Sequence, residues 1–286
     1  MRKYYMGCGS VAQPEELDWF EKLGEFCIEE KYDGIWAACI IDENGNIEFW
    51  SRNDKKKTEG EVINLYKYKL PRLKNSILIG ELFAFSQAAK KSGNVSFIVF
   101  DIIKYKGQDV SQLNNPERRE IIESLKIYNG KFKLASRFYK DFKKTYEDII
   151  KNGGEGIIIK KVVGKTPYRG NTHNFNWIKV KKEVRISYVV CGFNISDSDS
   201  WAGDIKSIKA GLYDRNGELK VVCNVGSMGH RERRWFSDHQ KEAIGKVIEV
   251  KGYEIFRSGA VRHPSLIGIR DDIEPLQCNF EQIYRI

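Results

Sequence analysis

The chain has 286 residues, a formal net charge of +9, and 41% hydrophobic and 12% aromatic residues. That length and apolar content suit one large or two modest domains with real cores, and the basic balance points to a polyanionic partner, nucleic acid first, over a generically basic protein. No apolar run approaches the ~18 residues of a membrane span, the start MRKYYMGCGSVAQPEE lacks the apolar stretch of a secretory signal, and six cysteines and four histidines lie too scattered for a zinc site or disulfide framework, which favours a reducing cytoplasm.

PEELDWFEKLG (14–24) reads as a short helix with Pro14 in its first turn and Gly24 as its stop. From Phe26 the pattern turns to strands. FCIEEKYDGIWAACII and NIEFWSRN are joined through Asn44-Gly45, a strong hairpin signal. ILIGELFAF (77–85) and VSFIVFDIIKY (95–105) are two more apolar strands. NPERREIIESLK (115–126) is an amphipathic helix with Ile121, Ile122 and Leu125 on one face. DFKKTYEDIIKNGG (141–154) is another, stopped by paired glycines. EGIIIKKVV (155–163) and FNWIKVKKE (175–183) are strand-like.

A second part starts near Glu183. It holds ISYVVCGF (186–193), a hairpin through Asp214 to Gly217, the polar helical segment HRERRWFSDHQKEAIG, and the strands GKVIEVKGYEIF and VRHPSLIGI. Short strands around one helix suggest a five-stranded oligonucleotide-binding (OB) barrel. The expected class is α+β, with a domain of antiparallel sheets and flanking helices at 1–183 and a β-barrel at 184–286.

Lys31 stands between an apolar Ile28 and the run Ile35, Trp36, Ala37, Ala38, where an amine is costly without a task. Alone, the K-x-D-G of residues 31–34 is as readily a hairpin turn beside a solvated lysine. It has company in chain order: SRN (51–53), IGEL (79–82), FIVFDII (97–103), EGIIIK (155–160), WIKVK (177–181) and RHPSLIGIRDD (262–272). In this order the chain resembles the covalent nucleotidyltransferases, and most closely the ATP-dependent DNA ligases.

The chemistry of that family explains the residue types. An amine must attack the α-phosphate of a nucleotide, and an ordinary lysine, with a pKa of about 10.4, is neutral only about once in 2,500 at pH 7. Neighbouring positive charge and a divalent metal favour the neutral form. Lys179 and Lys181 alternate along one strand and so share a face; there they would also neutralise charge on the phosphoryl oxygens. The resemblance implies that Lys31 forms a lysyl-AMP, with Asp33 placing metal or lysine. It implies that Glu155 stands near a catalytic Mg²⁺, Glu81 binds ribose, Arg52 lies near ribose and nucleic-acid phosphate, and Phe100 stacks on adenine. Glu29 is given to adenine selection. Arg262, Arg270 and Asp272 belong to a tail that meets the β- and γ-phosphates of ATP. The bland readings are ordinary turn, core and surface positions.

Two positions depart from the family pattern. DNA ligases commonly carry K-x-D-G-x-R, and Trp36 stands in place of that arginine, unable to make a bidentate phosphate contact. The tail usually ends R-x-D-K, and Ile273 stands in place of that lysine. The expected activity is sealing of nicked double-stranded DNA by a monomer with ATP and Mg²⁺. An RNA ligase or mRNA-capping guanylyltransferase is the alternative within the chemistry, and a non-catalytic nucleic-acid-binding OB protein the alternative outside it.

Overall fold

A computed structural model of the chain describes residues 4–284 apart from 54, 58, 85–86, 129 and 198–202. The expected strand to Phe85 thus ends outside the described residues. Two compact units are present, Met1–Lys181 and Lys182–Ile286. The first runs β1 (Met6–Val11), α1 (Leu17–Lys22), β2 (Phe26–Glu30), β3 (Ile35–Ile41), β4 (Ile47–Ser51), α2 (Glu59–Tyr66), β5 (Ser76–Phe83), α3 (Gln87–Lys91), β6 (Ser96–Tyr105), β7 (Gln108–Asp109), α4 (Asn115–Ser124), β8 (Phe132–Leu134), β9 (Arg137–Phe138), α5 (Phe142–Lys151), β10 (Gly156–Lys161) and β11 (Thr172–Lys181).

These strands form two sheets, ordered β1-β11-β10-β2-β9 and β4-β3-β5-β6-β7, with β8 parallel to β6. Apart from that pair and β1 beside β11, the pairings are antiparallel. Met6 and Trp177 of one sheet pack with Trp36, Ala38, Ile77, Ile79 and Ile103 of the other, so the sheets face each other across an apolar layer. Ile28, Ile157, Ile159 and Val180 on the outer face of the first sheet are covered by Leu17 and Phe20 of α1 and Phe142 and Tyr146 of α5. The other outer face packs Phe49, Leu78 and Phe97 against Ile122 of α4. In α4, Arg118 is as buried as the apolar side chains. Its guanidinium meets Asp101 of β6 through two bonds of 2.7 and 3.0 Å, which settles the charge of the FIVFDII aspartate inside the core.

FCIEEKYDGIWAACII forms two strands, not one: β2 and β3 lie in different sheets, and residues 31–34 carry the chain across. Gly34 is required by this crossing, because a Cβ there would lie 2.4 Å from the Leu82 carbonyl oxygen of β5. Lys31 is therefore fixed at the end of β2, its backbone N–H donating to the Gly156 carbonyl at 2.9 Å.

The second unit contains β12 (Val184–Ile195), β13 (Ile205–Tyr213), β14 (Leu219–Val225), α6 (His230–Asp238), α7 (Gln240–Ala243), β15 (Val247–Gly252) and β16 (Ser265–Ile269). The order is β14-β13-β12-β15-β16, and a parallel bridge between Ser227, just past β14, and Ser265 joins the two edges. The Leu266 N–H donates to the Ser227 carbonyl at 2.9 Å in that seam. Closure needs strong bending, and β12 bends where its register shifts between Val190 and Gly192, whose φ of +155° favours glycine. Phe236 of α6, between the third and fourth strands, fills the barrel interior. A five-stranded barrel with a helix at that place in the chain is the OB architecture.

Candidate active site

A cavity of about 540 Å³ opens where the two sheets of the first unit face each other. Glu29, Lys31, Arg52, Glu81 and Phe100, each named from the sequence, line it. So do Cys8 of β1, Trp36 of β3, Ile158 and Lys160 of β10, and Trp177 of β11. A surface depression of about 750 Å³ beside Lys165, Arg169 and Phe175 contains none of the residues singled out from sequence.

At the crossing between β2 and β3, Lys31 Nζ lies 2.5 Å from Glu155 Oε2, and Lys181 Nζ lies 2.6 Å from Glu155 Oε1. Residues far apart in sequence meet because Gly156 pairs with Lys181 and Ile157 pairs with Glu30, setting Glu155 beside the ends of both neighbouring strands. One carboxylate thus stands between two ammonium groups, and the three carry a net charge of +1. Lys179 shares the face of Trp177 and Lys181. The ammonium groups of Lys179, Lys160, Lys31 and Lys181 all pull down on the Cys8 thiol, although burial outweighs them and pushes it up. Asp33 is exposed at the turn, between the cavity-lining Tyr32 and Gly34.

Glu29 sits deeper, 2% exposed, in an ion cluster. Lys160 Nζ is 2.5 Å from its Oε2, and Arg137 Nη2 is 2.7 Å and Arg119 Nη1 3.5 Å from its Oε1. Burial alone would push this carboxyl up; the three cations outweigh it and hold it below the usual carboxylate range. Arg137 Nη1 is buried without a hydrogen-bond partner among the described residues. Sequence reading missed Lys160, Arg119 and Arg137. Lys160 also lies 5.0 Å from the Phe100 ring centroid and 4.2 Å from that of Trp177, so aromatic faces enclose its charge. Phe100 comes from one sheet and Ile158 from the other, offering two apolar walls to a flat ring.

Glu81, opposite Trp36 in the β3–β5 register, has its carboxyl pushed up to about 8, chiefly by burial. The Lys31 ammonium opposes that rise and the Glu155 carboxylate adds to it. Trp36 is 9% exposed and packs edge-on to Tyr5, with centroids 5.3 Å apart and planes at 88°. Its Nε1 is buried with no hydrogen-bond partner among the described residues.

In the second unit, Arg270 makes a two-pronged pair with Asp272, both bonds 2.6 Å, and reaches Glu249 at 3.0 Å. The Arg270 guanidinium holds the Asp272 carboxyl down at about 2. Arg262 stands in the turn after β15, its N–H donating to the Glu254 carbonyl at 2.8 Å. Ile273 packs against the barrel core, so an apolar side chain occupies the place of the family's lysine.

A profile of the ATP dependent DNA ligase domain matches residues 11–181. The chain belongs to that family. A probable DNA ligase of Dictyoglomus turgidum is 27% identical over 260 residues, covering 79% of this chain and 43% of the relative. The chain spans less than half the length of such curated relatives. Among solved structures, one from a study of DNA binding by minimal Lig E DNA ligases covers 93% of this chain and all of its own, with a TM-score of 0.64 at 20% identity. A mycobacterial DNA ligase D, solved with ATP and MES, covers 97% of this chain and 98% of its own, with a TM-score of 0.55 at 19% identity. These two likenesses extend over both units and show the shared fold.

Proposed function

We propose that the chain is an ATP-dependent DNA ligase, sealing nicks with a 5′-phosphate and a 3′-hydroxyl in duplex DNA. The observation that carries this is Lys31 Nζ held 2.5 Å from Glu155, with Lys181 on the other carboxylate oxygen, at a cavity lined by Glu81, Arg52 and Phe100. An ammonium must lose a proton before it can attack, and Glu155 Oε2 is within reach to accept it. The Lys31 lone pair forms the bond to the α-phosphorus of ATP, the bond to the bridging oxygen breaks, and pyrophosphate leaves. Lys181 and Lys179 offset the charge that builds on the phosphoryl oxygens. AMP then passes to the 5′-phosphate of the nick, and attack by the 3′-hydroxyl releases it.

Phe100 and Ile158 provide walls for adenine, Glu81 a partner for ribose hydroxyls, and Asp33 helps orient Lys31. Glu29, committed to three cations, would act on the base through the charge balance of that cluster. Among the described residues no group of three or more His, Cys, Asp or Glu could cage a metal. Mg²⁺ needs no such cage, since one carboxylate with water and substrate phosphate oxygens is an ordinary donor set, and Glu155 fits it. Mg²⁺ would supply neutralisation of the triphosphate. Arg262, Arg270 and Asp272 would serve the departing pyrophosphate. Six free cysteines, four of them buried, fit a reducing cytoplasm, and a monomer suffices for the chemistry.

The test is incubation with α-labelled ATP and, separately, α-labelled GTP, followed by denaturing electrophoresis. A label from ATP that is lost in Lys31→Ala is expected. A label from GTP alone would mean a capping enzyme, and no label a binding protein without catalysis. An adduct on ATP that seals only RNA would mean an RNA ligase.

A further inference from the structure

Phe175 is 75% exposed, more than any other large apolar side chain among the described residues of the first unit. The backbone puts it there. Cys8 of β1 pairs with Asn174 of β11 and Ser10 pairs with Ile178, so Phe175, Asn176 and Trp177 together oppose Gly9 alone. Such a bulge re-aims the side chains it carries. Its turn is held by the Asn176 N–H, which donates to Asn174 Oδ1 at 2.9 Å, while Asn174 Nδ2 donates to Met6 Sδ at 3.4 Å. Gly9 is required opposite it, since a Cβ there would lie 2.7 Å from the Phe175 Cα.

The ring lines the depression of about 750 Å³ together with Lys165, Arg169, His173 and the amides of Asn114 and Asn174. None of the lining residues is acidic, in a chain with 39 Asp and Glu. Cations suit backbone phosphates, amides suit base edges, and an open aromatic face suits a base; together they are the means by which single-stranded nucleic acid is held. An intact duplex keeps its bases stacked on one another and offers no face to a projecting ring, whereas an unpaired base does. The depression is also continuous in the chain with the cavity: Phe175 and Asn176 line the one, and the next residue of β11, Trp177, lines the other.

We propose that this depression binds an unpaired stretch of a nucleic-acid strand, with one base stacked on Phe175 and a backbone phosphate held by Lys165. This rests on the ligase reading above for its class of substrate, and adds to it a preference for joints that lie beside single-stranded nucleotides. The bulge supplies the ring, the glycine opposite makes room for the bulge, and the absence of carboxylates from the lining leaves the cations unopposed toward phosphate.

The experiment measures binding to a nicked duplex and to the same duplex with a short gap in the broken strand, where the middle base of the unpaired template stretch is 2-aminopurine. The proteins are wild type, Phe175→Ala, Phe175→Trp and Lys165→Gln. Phe175→Ala is expected to lose about fivefold to a hundredfold in affinity for the gapped duplex, the range for one base stacked on an aromatic ring, with its log–log salt slope unchanged. On the plain nick, which offers no unpaired base, it should lose less than about twofold. Phe175→Trp keeps a stacking face and should keep the gapped affinity. Lys165→Gln should make the salt slope on the gapped duplex shallower by about 0.7, the share of one phosphate on a single strand. The 2-aminopurine emission, which stacking quenches, should fall on binding wild type and not on binding Phe175→Ala. Unchanged gapped affinity in Phe175→Ala would overturn the proposal, as would equal loss on both duplexes, which would make the ring a contact to paired DNA. Wild-type adduct formation with labelled ATP is measured alongside: its absence would refute the ligase reading itself, whereas an adduct together with undiminished gapped binding by Phe175→Ala refutes only the stacking site.

Discussion

Glu81 gives the cavity a pH signature. Its carboxyl, raised to about 8 mainly by burial, holds a proton in the folded protein that the unfolded chain releases near its ordinary value of 4.5. Between those values the folded state binds more protons, so stability falls as pH rises. The stabilisation is fully present below about pH 4.5 and is lost as pH passes through about 8. Glu81→Gln removes this dependence. Its melting temperature should exceed that of wild type by a margin that grows from about pH 5 to about pH 8.5; a margin constant with pH would mean that Glu81 is ionised throughout. Lys31, Glu155 and Lys181 could be named from the sequence because the chemistry demands those types and their motifs are short. The partners of Glu29 could not: Arg137 lies 108 residues away outside any motif, and Lys160, although it closes EGIIIK, has no task that the motif itself reveals. Trp36 was legible only as a missing arginine. Its burial between the two sheets shows why restoring the arginine would disturb packing: a charge would be placed where an indole now fills an apolar layer.

At the scale of elements, the strands with apolar runs were readable and β1 was not. MGCGSV has no alternation of apolar and polar residues, because β1 is an edge strand parallel to β11 whose place is set by pairing rather than by its own pattern. Its Cys8 and the adjoining Tyr5 nevertheless line the cavity. Gly156 shows how an element sets the chemistry. It opens β10 with φ at +146°, and a Cβ there would lie 2.1 Å from the Val180 carbonyl oxygen of β11. Only glycine lets β10 pair closely enough with β11 to bring Glu155 to Lys181. Gly156→Ala is expected to cost about 2–4 kcal/mol through backbone strain and overpacking, measured by urea denaturation. It should also reduce adduct yield on Lys31 under conditions where the variant remains folded. Wild-type stability together with wild-type adduct yield would show that the pairing is not needed at this point.

The chain divides into two units with separate cores, Met1–Lys181 and Lys182–Ile286, each grouping its own strands around its own helices. What the sequence did not foretell is how the tail of the second unit holds its charges. Arg270 is balanced by Asp272 and Glu249, so it is not presented as an uncommitted cation. A pyrophosphate group carries more negative charge than either carboxylate and can compete for that guanidinium. Ile273, tucked against the barrel, adds no charge of its own. On the function proposed above, the charge that the end of the tail brings to the departing pyrophosphate comes from Arg270, since Ile273 brings none. Arg270→Ala should slow formation of the Lys31 adduct by about tenfold to a hundredfold, the range expected when a leaving group is deprived of one charge-assisted hydrogen bond. It should spare sealing of a nick supplied already bearing AMP, because pyrophosphate takes no part in that step. Single-turnover assays of the two steps separate these effects. If both slow equally, Arg270 supports the barrel or touches DNA, and the tail has no special part in activating ATP.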